Sequence, residues 1–421
     1  MNRTMTKESG GLLSPYRVLD LTDEKGVVCG RILGDFGADV IKVEKPCGDP
    51  CRNIGPFYHD IPDPEKSLFW FAYCANKRGI TLDIESADGK EIFKKLVKAG
   101  DVVLESFHPG YMARLGLGYD DLSKINPGII MTSITPFGQT GPYKDFKGPD
   151  LITWSMGGMS QVSGDPDRPP IRVSFPQSYP NGGAAGATGT IFALYNRGVT
   201  GEGQHVDVSI TEQVIRTLAN VRQFWDVCRI KLNRAGQFRT GLSTSANQRL
   251  IWQCADGYVN FPLYGGITGA RTNKALVDWM NSEGIKDDYL NSINWTEYDM
   301  AQTTQEEFDR MELPMGNFFM SHTMAELLDG AIERGIMLYP IYTAKEIVED
   351  PHLEDREFWE KLYHSELDET ITYPGAFLKL SETACGLRRR APLIGEHNRE
   401  VYAELGLTDK DLVLLKQAGV I

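Results

Sequence analysis

Residues 16–43, YRVLDLTDEKGVVCGRILGDFGADVIKV, hold the alternation of strand and helix that decides the fold. Residues 16–21 form a short apolar run typical of a strand, and residues 38–43 predict a second one. Between them, residues 26–36 have apolar side chains at helical spacing: Val27, Ile32, Leu33 and Phe36. The stretch therefore predicts a βαβ unit.

The same alternation continues along the chain. Asp88 is expected to cap a helix with one apolar face, and residues 102–104 follow as a strand. Residues 129–134 are another β-branched run, and apolar side chains alternate through residues 204–210. Strands that alternate with helices predict the α/β class, with a parallel Rossmann-like sheet covered by helices on both faces.

The length of 421 residues exceeds that of one small core, so we expect two domains or one large domain with an insertion. We predict a large Rossmann-like domain over residues 1–224. A smaller α+β domain over 225–330 is rich in aromatic residues, and residues 331–421 are expected to return to the large domain. Trp252, Phe261 and Tyr264 of the small domain fit an aromatic substrate or a domain core equally well.

Glycines shape one segment in particular, NGGAAGATG at 181–189. Small residues at this spacing allow a helix to approach a neighbouring backbone closely, so we interpret the segment as a packing face. No G-x-G-x-x-G motif follows the first strand, and a dinucleotide site is therefore not supported.

Composition and charge exclude several classes of function. The net charge of −13 argues against a nucleic-acid partner, and no apolar run predicts a signal peptide or a membrane span. Seven scattered cysteines indicate reduced thiols in a cytoplasm. Cys47, Cys51 and His59 would make half a metal site, but no second Cys/His pair completes it, so no metal is predicted.

Basic and polar residues cluster where strands are expected to end, the edge at which open α/β sheets bind ligands. These runs are Lys42–Lys45, Asn76–Arg78, Glu105–Gly110 with Arg114 after it, and Phe137–Lys147. Convergent cations beside an aromatic face would suit a nucleotide that bears several phosphates.

Seven motifs, in order along the chain, resemble the class III CoA-transferase family (the formyl-CoA transferase and carnitine CoA-transferase group). They are VLDLT, GADVIKVEKP, NKRGITLD, LGLGYDDL, FGQTGPY, TGEGQHVDVS and APLIGEHNREV. The resemblance extends from about residue 15 to the C-terminus. It implies an interlocked dimer, with CoA or an acyl-CoA bound as a substrate on the large domain. It also implies six CoA-binding side chains: Lys45, Lys77, Arg78, Phe107, Arg114 and Lys147.

The resemblance also exposes a departure at Tyr179. Family members have an aspartate at this position, after a segment that reads PPIRVSFPQSYPNGG here. In the family that carboxylate attacks the acyl-CoA thioester, which gives a mixed anhydride and releases CoA. CoA then attacks the enzyme acyl group to form an aspartyl-CoA thioester, and an incoming acid reverses the sequence. A phenol has a pKa of about 10, so little phenolate exists at neutral pH. We therefore expect no catalytic residue in this chain, with Asp150 only as a supporting carboxylate.

Three functions remain open on these grounds. The first is a subunit of a heteromeric CoA-transferase whose homologous partner supplies the aspartate. For it, the resemblance favours succinyl-CoA as donor and (R)-benzylsuccinate as acceptor, in anaerobic degradation of toluene. The second is an acyl-CoA racemase or epimerase, for which His108 and His397 are candidate bases, although a structural role suits each histidine better. The third is a CoA-binding protein without chemistry.

Overall fold

The computed structural model describes residues 11–218, 221–240 and 246–421. The chain divides into two compact units. The first contains residues 11–159, 172–218 and 352–421, and the second contains the described parts of 160–171 and 221–351. None of the described helices is long and apolar enough to cross a lipid bilayer.

The described strands and helices are numbered separately in chain order. The strands are β1 (Arg17–Asp20), β2 (Asp39–Glu44), β3 (Lys77–Thr81), β4 (Val102–Glu105), β5 (Ile130–Thr135), β6 (His205–Ser209), β7 (Phe238–Thr240), β8 (Asn247–Arg249), β9 (Ile251–Gln253), β10 (Tyr258–Asn260), β11 (Tyr339–Pro340), β12 (Trp359–His364) and β13 (Glu369–Pro374). The helices are α1 (Val27–Asp35), α2 (Leu68–Cys74), α3 (Ala87–Lys98), α4 (Tyr111–Arg114), α5 (Tyr119–Ile125), α6 (Asp150–Met156), α7 (Met159–Val162), α8 (Ser178–Thr200), α9 (Ile210–Thr217), α10 (Val221–Cys228), α11 (Gly266–Ser282), α12 (Asp288–Ser292), α13 (Gln305–Met320), α14 (Met324–Arg334), α15 (Ala344–Val348), α16 (Pro351–Asp355), α17 (Asn398–Glu404) and α18 (Asp409–Gln417). Short 3₁₀ turns occupy Pro50–Asn53 and Tyr58–Asp60.

A six-stranded sheet forms the centre of the first unit. Its strand order is β3-β2-β1-β4-β5-β6, and every neighbouring pair is parallel. The order reverses between β1 and β4, which makes that point the topological switch of an open α/β sheet. The predicted α/β class and the Rossmann-like parallel sheet are confirmed.

Two local predictions differ from the structure. The helix expected to begin at Asp88 is capped by Ser86, whose hydroxyl accepts a hydrogen bond from the Gly89 N–H at 3.0 Å, and Asp88 lies in the first turn. The run Asn76–Arg78 was predicted to lie at a strand end, but β3 begins at Lys77. Lys77 and Arg78 therefore sit at the amino end of β3, where parallel pairing places them beside the start of β2.

Helix α8 packs through its glycines, as the sequence predicts. A Cβ added at Gly183 would lie 2.7 Å from the Cβ of Val28, and one at Gly186 would lie 2.6 Å from the Cδ1 of Ile134. Both distances are too short for a real contact, so only glycine lets α8 come this close to α1 and β5.

The second unit has its own core and wider bounds than the expected 225–330. It contains the three-stranded antiparallel sheet β11-β10-β9, so the chain cannot leave this unit before β11. Segment 160–171 joins it as well, because the Gly236 N–H donates to the Gly164 carbonyl at 2.9 Å. Trp252 and Phe261 are buried within the core cluster of this unit, as a structural role requires.

The C-terminal segment packs on the first unit at several buried points. The indole N–H of Trp70 donates to the Pro392 carbonyl at 2.9 Å, and the hydroxyl of Tyr402 donates to the Thr81 carbonyl at 2.5 Å. Val420 lies in the same apolar cluster as the sheet residue Ile80. These contacts attach residues 392–421 to the β3 side of the sheet.

Candidate active site

The carboxyl ends of β1 to β5 and the loops that follow them make up the candidate site. In an open parallel sheet this edge is where ligands bind, next to the switch between β1 and β4. The loop after β1 and the loop after β4 are joined here, since the Ser106 hydroxyl donates to the Asp23 carboxylate at 2.7 Å and accepts from the Asp23 N–H at 2.9 Å.

Three of the predicted CoA-binding residues meet at this edge through two residues that the sequence did not single out, Glu85 and Tyr111. The Lys45 ammonium lies 3.5 Å from the Glu85 carboxylate, and the Tyr111 hydroxyl donates to the same carboxylate oxygen at 2.5 Å. The Phe107 ring lies 4.5 Å from the Tyr111 ring, and the Arg114 guanidinium lies 5.9 Å from its centre. We call these five residues the Lys45 cluster.

Lys147 lies on the loop after β5, and its side chain is exposed. This loop contains three mutually contacting aromatic rings, Phe137, Tyr143 and Phe146. A ring nitrogen of His108 lies 3.3 Å from the Asp145 carbonyl oxygen, which links the Lys147 loop to the residue after Phe107. Within the described part of the chain, Arg114 and Lys147 form no ion pair, so both cations are free for an anionic ligand.

Lys77, in contrast, is buried within the fold. Its ammonium donates to the Asp20 carboxylate at 2.7 Å and to the Val27 carbonyl at 3.0 Å, and neither charged side chain is exposed. Burial acts to raise the pKa of Asp20, but the charges of Lys77 and Lys42 outweigh it and hold that pKa below its usual value. The structure does not bring Lys77 into the Lys45 cluster.

Arg78 is also held in ion pairs away from the candidate site. Its guanidinium lies 2.6 Å from Asp39, at the start of β2, and 2.8 and 2.6 Å from Glu400 and Glu404 of α17. Three carboxylates satisfy one guanidinium, and only 8% of the Arg78 side chain is exposed. Its contacts therefore fasten the C-terminal segment to the amino edge of the sheet.

Tyr179 lies in the first turn of α8 and is 9% exposed. Its hydroxyl donates to the Gly148 carbonyl at 3.1 Å, and its N–H donates to the Asp150 carboxylate at 3.0 Å. Burial first, and then the negative charges of Glu24, Asp23 and Asp150, raise the pKa of Tyr179 above its usual value. The ring is therefore a neutral phenol that ties α8 to the loop bearing Lys147.

Glu105 begins the predicted strand-end run Glu105–Gly110, although the sequence assigned no separate role to its carboxyl group. It ends β4, is 4% exposed, and accepts a hydrogen bond from the Phe107 N–H at 2.8 Å. Burial raises its pKa to about 7, against the effects of Ser133 and the Phe107 N–H. In the sequence, the apolar residues before it in β4 were the one feature that indicated its burial.

The two candidate histidines differ in their surroundings. His397 is half-buried and accepts a hydrogen bond from the Gly79 N–H at 3.1 Å, and burial lowers its pKa. It lies between β3 and α17, whereas His108 is exposed at the candidate site. Among the described residues, no three His, Cys, Asp or Glu side chains come together as a metal site would require.

Comparison with known proteins agrees with the motifs. Residues 13–398 match the family model described as CoA-transferase family III. The chain is 34% identical to the succinyl-CoA:(R)-benzylsuccinate CoA-transferase subunit BbsE of Thauera aromatica, over 97% of this chain and 98% of that one. It is 31% identical to the succinyl-CoA–L-malate CoA-transferase beta subunit of Chloroflexus aurantiacus, over 97% and 98%.

A crystal structure of a CAIB/BAIF family protein from Brucella suis superimposes with a TM-score of 0.78 at 26% identity, covering 94% of this chain and all of that one. The family resemblance drawn from the motifs is thereby confirmed. The chain belongs to CoA-transferase family III.

Proposed function

We propose that this chain is a subunit of a heteromeric CoA-transferase that moves CoA from succinyl-CoA to a carboxylic acid. The succinyl-CoA-dependent relatives support the donor, and both are named as subunits. The acceptor that we propose is (R)-benzylsuccinate, as in the name of the Thauera aromatica relative, which would place the reaction in anaerobic aromatic degradation.

For CoA binding we propose Lys45, Phe107, Arg114 and Lys147 as the side chains that contact the nucleotide. Exposed cations next to aromatic rings suit a ligand with an adenine ring and several phosphates. Lys77 and Arg78 were predicted to join them, but each would first have to leave its ion pairs. We assign those two residues to the stability of the fold instead.

The observation that supports a subunit without its own nucleophile is the hydrogen bond from the Tyr179 hydroxyl to the Gly148 carbonyl. A buried, hydrogen-bonded phenol whose pKa is raised is not a nucleophile at neutral pH. We propose that a homologous partner chain supplies the aspartate and that the two chains interlock as a dimer or within a larger assembly.

The test is reconstitution. The chain purified alone should transfer no CoA from succinyl-CoA to any member of a panel of dicarboxylic acids that includes (R)-benzylsuccinate. Addition of an Asp-bearing partner, recovered by co-purification from the native host, should restore turnover. Replacing the partner's aspartate by alanine should then abolish it.

Two results would contradict this proposal. Transfer by the isolated chain would mean that it contains a nucleophile of its own. Substantial residual turnover with the alanine variant of the partner would mean the same, because the partner's carboxylate would then be dispensable. Failure with (R)-benzylsuccinate alone, with transfer to another acid, would reject only the acceptor.

An acyl-CoA epimerase is a second candidate, and Glu105 is the observation that favours it. A carboxyl group with a pKa of about 7 is suited to proton transfer near neutral pH. If the isolated chain is an epimerase, it should exchange the α-proton of an acyl-CoA for deuterium, and Glu105→Gln should stop the exchange. Absence of exchange in the unaltered chain would leave the CoA-transferase subunit as the one candidate reaction.

A further inference from the structure

Glu85 places a negative charge at the centre of the Lys45 cluster. Its carboxylate is 49% exposed and has two partners from other parts of the edge, the Lys45 ammonium after β2 and the Tyr111 hydroxyl at the start of α4. The hydrogen bond from Tyr111 and then the charge of Lys45 lower the pKa of Glu85, so it is an anion at neutral pH.

The fold does not depend on this carboxylate. The adjacent helix α3 is capped by Ser86, not by Glu85. Both ends of the pair with Lys45 are exposed, at 58% and 49%, and exposed ion pairs contribute little to stability. The contact therefore affects the binding of other groups to Lys45 and Tyr111 more than it affects the stability of the fold.

We propose that Glu85 competes with the phosphate groups of CoA for Lys45 and Tyr111. The inference rests on the proposed CoA site. An anionic ligand that arrives at the ammonium meets a carboxylate already 3.5 Å from it. Either the carboxylate moves away, or two like charges share one cation, and both cost binding free energy.

This competition lowers the affinity of the chain for the nucleotide. In an assembly with a homologous Asp-bearing chain, a weaker site here would leave CoA thioesters to the partner's site. Glu85 is then an affinity-determining residue of the assembly, although it takes no part in the chemistry.

The experiment measures the affinity of the full-length chain for CoA by isothermal titration calorimetry. Glu85→Gln removes the charge and keeps the shape, and it should tighten CoA binding about three- to tenfold. The control is Glu91→Gln, which removes an exposed acid of α3 that pairs with Lys94 at 2.8 Å. The control should leave the affinity unchanged, which excludes a general effect of net charge.

Lys45 provides the second comparison. In a background of Lys45→Met, the Glu85→Gln change should give little or no gain, because the cation over which the two anions compete is absent. High salt should also reduce the gain in the unaltered background, since both partners are exposed to screening.

The outcomes separate the inference from the proposed CoA site. Binding by the unaltered chain with the same affinity in Glu85→Gln overturns the inference and leaves the CoA site in place. A gain that persists with Lys45→Met overturns it too, because the competition would not involve that cation. Binding by neither form at millimolar CoA overturns both the inference and the CoA site of this chain.

Discussion

Tyr179 shows how strongly the surroundings of one position limit what a substitution there can restore. Burial first, and then the charges of Glu24, Asp23 and Asp150, raise the pKa of the acid at this point. An aspartate placed here would face the same three carboxylates, so it would ionise poorly. It would also leave empty the volume that the ring fills and remove the hydrogen bond to Gly148.

We therefore expect Tyr179→Asp to give no CoA transfer in the isolated chain and to lower its free energy of unfolding by about 2–4 kcal/mol. Intact mass spectrometry after incubation with succinyl-CoA should detect no covalent CoA or acyl group. Tyr195→Asp, at an exposed position of the same helix, is the stability control. A covalent adduct on residue 179 would show that the pocket still accommodates a working nucleophile.

Glu105 gives a prediction about pH. Its folded-state pKa of about 7 lies above the ordinary value of 4.5, so the folded chain holds this proton more tightly than the unfolded chain does. The stability that protonated Glu105 contributes is complete below pH 4.5 and is lost as the pH rises through 7.

As the pH rises from 5 to 8, the free energy of unfolding of the unaltered chain should therefore fall by about 1–3 kcal/mol relative to that of Glu105→Gln. Urea denaturation at the two pH values measures this difference. In Glu91→Gln, at an exposed position, the difference should be absent. Equal behaviour of Glu105→Gln at both pH values would mean that the buried carboxyl has an ordinary pKa.

Helix α8 positions Tyr179 because one of its faces is glycine, and that face makes a paired prediction possible. Gly183→Ala would place a methyl group 2.7 Å from Val28 and 3.1 Å from the backbone of Cys29, so we expect a loss of about 1–3 kcal/mol. Gly198→Ala, in the same helix with nothing within 4 Å, should instead gain about 0.5–1 kcal/mol from helix propensity. Thermal unfolding of both variants tests this, and equal effects would reject the close packing.

The elements also show what the sequence could and could not predict. Runs such as residues 38–43 and 129–134 match β2 and β5 within a residue or two, because buried parallel strands need continuous β-branched stretches. The end of the strand at which Lys77 lies was harder to predict, since a basic residue beside an apolar run can lie at either end of a strand. Its buried partner Asp20 is 57 residues away in the chain, and only the folded sheet brings the two together.

The candidate site was predictable to a similar depth. Motifs identified Lys45, Phe107 and Arg114, and the structure brings these three together. Glu85 precedes α3 and Tyr111 begins α4, and the two form no sequence pattern of their own. A side-chain contact between separate segments depends on the tertiary arrangement, so it could not be predicted from spacing.

In the first unit as a whole, the N-terminal sheet depends on the last part of the chain. Arg78 of β3 pairs with Asp39 of β2 and with Glu400 and Glu404 of α17, more than 300 residues later. This arrangement gives Arg78 a structural role that competes with its predicted role in CoA binding. The two roles make different predictions for one substitution.

If Arg78 is structural, Arg78→Gln should lower the free energy of unfolding by about 1–3 kcal/mol. Of the two guanidinium groups that pair with Asp39 and Glu404, only that of Arg17 would remain. The CoA affinity of the folded protein should not change. Lys45→Met should behave in the opposite way, with weaker CoA binding and almost unaltered stability, since its ion pair is exposed. Arg399→Gln, which removes an exposed ion pair of the same C-terminal helix, is the control for stability. Calorimetric unfolding and CoA titration on the same preparations decide between the two roles. A folded Arg78→Gln variant with normal stability and no CoA affinity would show that Arg78 belongs to the binding site.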